Sequence, residues 1–95
     1  MRHIGGGVSS PELIFKVDPE FSEEARRAKF MGVVTVDIIV NPQGLPQNIR
    51  VVRGVGMGLD QKAVEAVKQY RFKPAMENGK PVAVELNISV NVDVF

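Results

Sequence analysis

From residue 82 to residue 94 every second side chain is aliphatic: Val82, Val84, Leu86, Ile88, Val90, Val92 and Val94 alternate with Ala83, Glu85, Asn87, Ser89, Asn91 and Asp93. Period-two alternation is the mark of a strand with one buried face and one wet face. Lys80-Pro81 just before it bars a helical run-in, because proline cannot continue a helix from upstream. At about 3.3 Å per residue the run spans roughly 40 Å, longer than a common strand, and no upstream segment matches that length. Part of it is therefore expected to overhang or to lie at a sheet edge, its N–H and C=O groups open to another chain.

The rest of the chain reads as one small α+β domain. Ninety-five residues, 44% hydrophobic and 24% charged, suffice for a single core and no more. Residues 1–10, with Gly5-Gly6-Gly7 and Ser9-Ser10, are expected to be a flexible linker end, and residues 11–95 the domain. Leu13 to Val17 forms a short strand-like segment closed by Asp18-Pro19. Phe21, Ala25 and Ala28 then recur at helical spacing, with Ser22 as N-cap and Glu23 and Glu24 at the positive end of a two-turn helix. Residues 33–40 alternate as a strand, Asn41-Pro42-Gln43-Gly44 is a hairpin signal, and residues 47–53 return.

Leu59, Ala63, Ala66, Val67 and Tyr70 mark a second, amphipathic helix, expected to run to Phe72 or Lys73 and to be stopped by Pro74. Glu77-Asn78-Gly79-Lys80 turns the chain into the closing strand. A hairpin followed by a helical crossover makes the closing strand parallel to the second strand and antiparallel to the first. The expected fold is thus a three-stranded antiparallel sheet in the order 2-1-3, two helices on one face, and the C-terminal strand at an edge.

Residue chemistry argues against several functions. The net charge is +1 and basic residues are scattered among acids, which leaves no nucleic-acid footprint. With no cysteine and a lone histidine, His3, in the loose N-terminus, neither a thiolate nor a multi-histidine metal site can be assembled, and no cofactor is implied. The run Gly54-Val55-Gly56-Met57-Gly58 before a helix lacks the spacing of a dinucleotide or phosphate loop, and Asp60 puts negative charge where phosphate would sit. Asp37, Glu85 and Asp93 stand at outward strand positions and read as solvated polar-face residues rather than catalytic carboxylates. Tyr70 and Phe72 flanking Arg71 read as core packing, with Arg71 binding backbone carbonyls, more readily than as a cation–π recognition patch. The chain is not expected to be an enzyme.

Tyr70-Arg71-Phe72-Lys73-Pro74-Ala75 followed by Asn78-Gly79-Lys80-Pro81-Val82 closely resembles the C-terminal domain of TonB-family energy transducers. Pro19-Glu20-Phe21 with Glu23-Glu24-Ala25-Arg26, Gly32-Val33-Val34, the Gly44 hairpin, and Leu59-Asp60 with Ala63 fall where that family has its own elements, so the resemblance runs from about Ser10 to Phe95. Two positions depart from it: Ser22 replaces a frequent proline, and Phe21 the usual tyrosine.

The resemblance implies a periplasmic module that transmits inner-membrane proton-motive energy to outer-membrane receptors for uptake. It implies a piece of a longer chain, whose N-terminal anchor is tethered in the inner membrane and joined to a motor complex. In that family the receptor's N-terminal peptide adds as a strand beside the last strand, here Val84, Glu85, Leu86, Asn87, Ile88, Ser89, Val90, Asn91, Val92 and Asp93. Tyr70, Arg71, Phe72, Pro74 and Gly79 would then be structural signature residues. Self-association into a homodimer through the same edge, or fusion to an envelope sensor or peptidase, are alternative expectations. A ferredoxin-like small enzyme is a distant third, since helix one is short for a full crossover.

Overall fold

The computed structural model describes residues 2–20, 22–29 and 31–92. Its centre is an antiparallel sheet of β2 (Val33–Val40), β3 (Pro46–Arg53) and β7 (Val84–Asn91), in the order β3-β2-β7. This is the expected 2-1-3 arrangement, with β7 at the edge. β2 is central because its hairpin supplies β3 on one side and leaves the other open. Val34, Val36, Ile38 and Val40 are fully buried, as the alternation requires.

The hairpin tip follows from Asn41. Its Oδ1 accepts N–H bonds from Gln43 and Leu45, both at 2.9 Å, and its own N–H donates to the Leu45 carbonyl at 3.0 Å. Such a side chain closes a turn by imitating backbone. The register between β2 and β3 slips twice, at Thr35/Val36 and at Asp37/Ile39, and this sets Arg50 opposite Asp37.

Both helices cover the same face of the sheet. In α1 (Glu23–Ala28) the Ser22 hydroxyl accepts the Ala25 N–H at 3.1 Å, the N-cap expected from the sequence, and it donates to the Met57 carbonyl in the loop before α2 (Leu59–Val67). One serine thus starts one helix and ties it to the entry of the other. Leu59, Ala63 and Val67 of α2 and Ala25 of α1 join the sheet's aliphatic side chains in one core. Phe21, read as part of the first helix's apolar face, lies outside the described residues.

Two expectations about element length are corrected. α2 ends at Val67, five to six residues early, and residues 71–73 form β4 (Arg71–Lys73), paired with β1 (Glu12–Phe15). The helix is closed by contracted bonds, Gln69 N–H to the Ala66 carbonyl and Tyr70 N–H to that of Val67, both 3.0 Å. Tyr70 and Phe72 then point into the core while Arg71 and Lys73 face water, a strand alternation. Pro74 therefore stands after a strand and terminates no helix.

The closing strand is not continuous either. β2 ends at Val40, opposite Val84, where the hairpin turns away, so residues before Val84 find no ladder there. β6 (Lys80–Val82) pairs instead with β5 (Ala75–Glu77) across the Asn78-Gly79 turn, and the chain crosses to β7 at Ala83. The eight residues of β7 match the eight of β2, so the edge arises from strand order and not from excess length.

The N-terminal residues, expected to be a loose linker end, also have partners. Val8 is buried among core residues and bridges Glu77, and Arg2 bridges Val84. Their glycines close a tight turn that lets two short arms reach β5 and the start of β7. In β1, by contrast, Leu13, Ile14 and Phe15 are all exposed.

Candidate functional site

β7 has two edges, and only one is used by the sheet. Its inner edge pairs with β2 from Val33↔Asn91 to Val40↔Val84 without a break. Which residues bond inward is set by one ladder bond just past the strand: the Val92 N–H donates to the Gly32 carbonyl at 3.0 Å. In an antiparallel pair, hydrogen-bonded and non-bonded positions alternate, so Val84, Leu86, Ile88 and Val90 turn their N–H and C=O toward β2. Glu85, Asn87, Ser89 and Asn91 turn theirs outward. The carbonyl of Ala83 belongs to the same outward row, and it accepts the Arg2 N–H at 2.8 Å.

Side chains follow the same parity. Val84 and Val90 are buried and Leu86 and Ile88 half-buried against the core, while Glu85, Asn87, Ser89 and Asn91 are exposed. The residues that offer backbone outward thus also present polar side chains, on the face away from the helices. Asp93 lies outside the described residues.

Behind this edge sits a charged patch. Asp37 is largely buried on β2, and Arg50 Nη2 on β3 lies 3.2 Å from its Oδ2. Glu85 is directly across from Ile39 on β7, beside Asp37. Its carboxyl is pushed above the ordinary glutamate value, first by a hydrogen bond with the Asp37 side chain and then by the Asp37 charge, against the pull of Arg50 and His3. Asp37 and Glu85 therefore meet, and Asp37 is not the solvated polar-face residue expected: it is buried beside Arg50 and Glu85. Arg50 was missed because only the register slip in β3 brings it opposite Asp37. These residues line a shallow hollow with Ile39 and Asn48.

The signature residues occupy the frame around the site. Tyr70 and Phe72 are buried with ring centroids 6.3 Å apart and planes tilted by 52°. Arg71 Nη1 donates to the carbonyls of Tyr70 at 2.7 Å and Lys68 at 3.2 Å, past the end of α2. Pro74 links β4 to β5, and Gly79 with Asn78 makes the β5–β6 turn, both at positive φ. In the glycine run before α2, the Asp60 carboxylate accepts the Val55 N–H at 2.7 Å and also bonds the Gly56 N–H. The loop amides that could have held an anion are occupied by the chain's own carboxylate. Among the described residues there is no group of three or more His, Cys, Asp or Glu placed to hold a metal ion, and no helix is long and apolar enough to cross a membrane.

Residues 17–92 match the family model described as the Gram-negative bacterial TonB protein C-terminal. The chain belongs to the TonB C-terminal family. Protein TonB of Vibrio cholerae serotype O1 is 33% identical over 85 residues, covering 87% of this chain and 35% of that protein. Protein tonB2 of Pseudomonas aeruginosa is 35% identical over 78 residues, 77% of this chain and 29% of that protein. This TonB-family chain thus spans about a third of the length of the curated relatives it matches. The solution NMR structure of the Pseudomonas aeruginosa TonB C-terminal domain superimposes with a TM-score of 0.64 at 20% identity, over 97% of this chain and 94% of that one, and so shares the fold.

Proposed function

We propose that this TonB-family domain is a non-enzymatic periplasmic module. It grips the N-terminal peptide of an outer-membrane receptor by strand addition, and it transmits inner-membrane proton-motive energy through a chain anchored upstream and driven by a motor complex. The observation that carries the reading is the outward row of N–H and C=O groups on Glu85, Asn87, Ser89 and Asn91, on a strand whose other edge is fully bonded to β2. Backbone bonds along that row would hold a peptide largely independently of its sequence. The exposed side chains of the same four residues, with Asp37 and Arg50 behind Glu85, would select among peptides.

Titrating an isotope-labelled domain with a receptor N-terminal peptide and following amide shifts tests this. The largest changes are expected at Asn87, Ser89 and Asn91, and unchanged amides along β7 would sink the reading. The same edge favours self-association as a second reading, since an unpaired strand backed by apolar side chains can add to its own copy. A solution mass that stays monomeric as concentration rises excludes that reading and leaves the first intact.

A further inference from the structure

The outer edge of β7 is not uniformly open, because part of the chain itself lies against its first residues. Gly5 and Val8 exchange backbone bonds, Gly5 N–H to the Val8 carbonyl at 2.8 Å and Val8 N–H to the Gly5 carbonyl at 3.1 Å. The reversal runs through Gly5, Gly6 and Gly7 at φ of 102°, 57° and 97°, which side-chain-bearing residues rarely adopt. The two arms of this small hairpin are held very differently.

The later arm is anchored. Val8 is 7% exposed, packs in the core and bridges Glu77, while Ser9 N–H donates to the Met76 carbonyl at 3.0 Å and Met76 N–H to Ser9 Oγ at 2.9 Å. The earlier arm has far less. Arg2 lies parallel to β7 at Val84, its N–H donates to the outward Ala83 carbonyl, and its Nε sits 3.1 Å from Glu77 Oε1. The Arg2 side chain is 62% exposed, so that ion pair adds little by itself. His3, next along, lies near enough for its charge to act on Glu85. Arg2, with His3 next to it, is thus held by a single bridge beside acidic residues at the near end of the edge.

We propose that residues 2–9 are an intramolecular strap whose free arm stands in for a partner strand on Ala83 to Glu85, so that a peptide reaching Glu85 must displace it while one confined to residues 87–91 need not. The proposal rests on the reading of β7 as a peptide-binding edge. It also specifies partner chemistry: a peptide that displaces the strap inherits Glu77 and Glu85, and gains from a basic residue at that end. Because Val8 and Ser9 anchor the hinge, the free arm can lift without unpacking the core.

The test uses the full chain, Arg2→Pro, which removes both the N–H given to Ala83 and the guanidinium, and Arg2→Glu, which keeps the N–H but reverses the charge against Glu77. Two receptor N-terminal peptides are titrated into each, one long enough to lie along residues 83–91 and one limited to residues 87–91. Nuclear Overhauser contacts between Arg2 and Val84 are recorded in the free full chain. Expected are those contacts in the parent chain and tighter binding of the long peptide by both variants, about fivefold for Arg2→Pro, the scale of one released hydrogen bond, and less for Arg2→Glu, which keeps that bond and loses only an exposed ion pair. The short peptide is expected to bind all three chains equally. Absent contacts, or a long peptide indifferent to both substitutions, overturn the strap and leave the peptide edge standing. Failure of both peptides to bind any chain overturns the edge reading, and the competition with it.

Discussion

At Gly44 a methyl group would lie 1.9 Å from the Phe72 carbonyl oxygen, and the residue holds φ at 81°. Its own carbonyl accepts the Phe72 N–H at 2.9 Å, so the hairpin tip is pressed onto β4 and cannot retreat without breaking that bond. Gly44→Ala is therefore expected to lower unfolding stability by about 3 kcal/mol, measured by denaturant unfolding, from strain and overpacking together. Glu85 gives a prediction about acidity. Its folded-state affinity for a proton is raised, chiefly by the hydrogen bond with Asp37, so the stabilisation from that proton is fully present below the unfolded value and lost as pH rises through the folded one. Glu85→Gln removes the repulsion left behind at higher pH. The variant is expected to melt above the parent at neutral pH, with the gap closing as pH falls through the range just above the ordinary glutamate value, followed as Tm against pH. Added salt should shrink the gap, since Glu85 is exposed.

Among the elements, β7 makes the sharpest contrast, because neighbouring positions on it have opposite duties. Proline at Ser89 removes an N–H that the sheet does not use, whereas proline at Val90 removes one that faces β2. Ser89→Pro is expected to keep a cooperative melt and weaken receptor-peptide binding about fivefold or more. Val90→Pro is expected to cost about 3 kcal/mol of stability or to prevent folding. Circular dichroism melts beside peptide titrations separate the two. Of the alternation from Val82 to Val94, the part from Val84 to Asn91 is the strand, with the buried face and the edge position expected, and the hairpin was legible in Asn41 to Gly44. Which amides point outward was not, because parity depends on the single pairing of Val92 with Gly32. The end of α2 was misjudged for a different reason: Tyr70 lies eleven residues after Leu59 and so continues a helical stripe, yet Tyr70 to Lys73 also alternate as a strand. The two periods agree at Tyr70, and only β1, laid alongside, decides between them. Arg50 beside Asp37 was hidden by the register slip in β3, and the ordering of residues 2–10 by the reach of Val8 into a core built from distant segments.

As a whole molecule the domain is long and thin, 50 × 20 × 17 Å, with its main sheet flanked by the two-stranded pairs β1-β4 and β5-β6. Its parts are unequally secured. The ladder of β2 with β7 runs unbroken over eight pairs and is backed by the core, whereas β1 meets β4 at three register points interrupted by an irregularity, with every residue of β1 exposed. If the domain works under tension arriving from upstream, as the proposed function requires, this inequality becomes an order of yielding. The Arg2 contact, the Val8 and Ser9 bonds and then the β1-β4 pairing are met one after another and can peel singly, while the β2-β7 ladder still carries the bound peptide. Single-molecule pulling between the N-terminus and a peptide held on β7 should show a reversible lengthening below about 50 Å, the extended length of residues 2–17 being reduced by the span they already cover when folded, well before the sheet ruptures. The modest pairing of β1 would then act as a mechanical fuse, adding slack at low force and sparing the grip at high force.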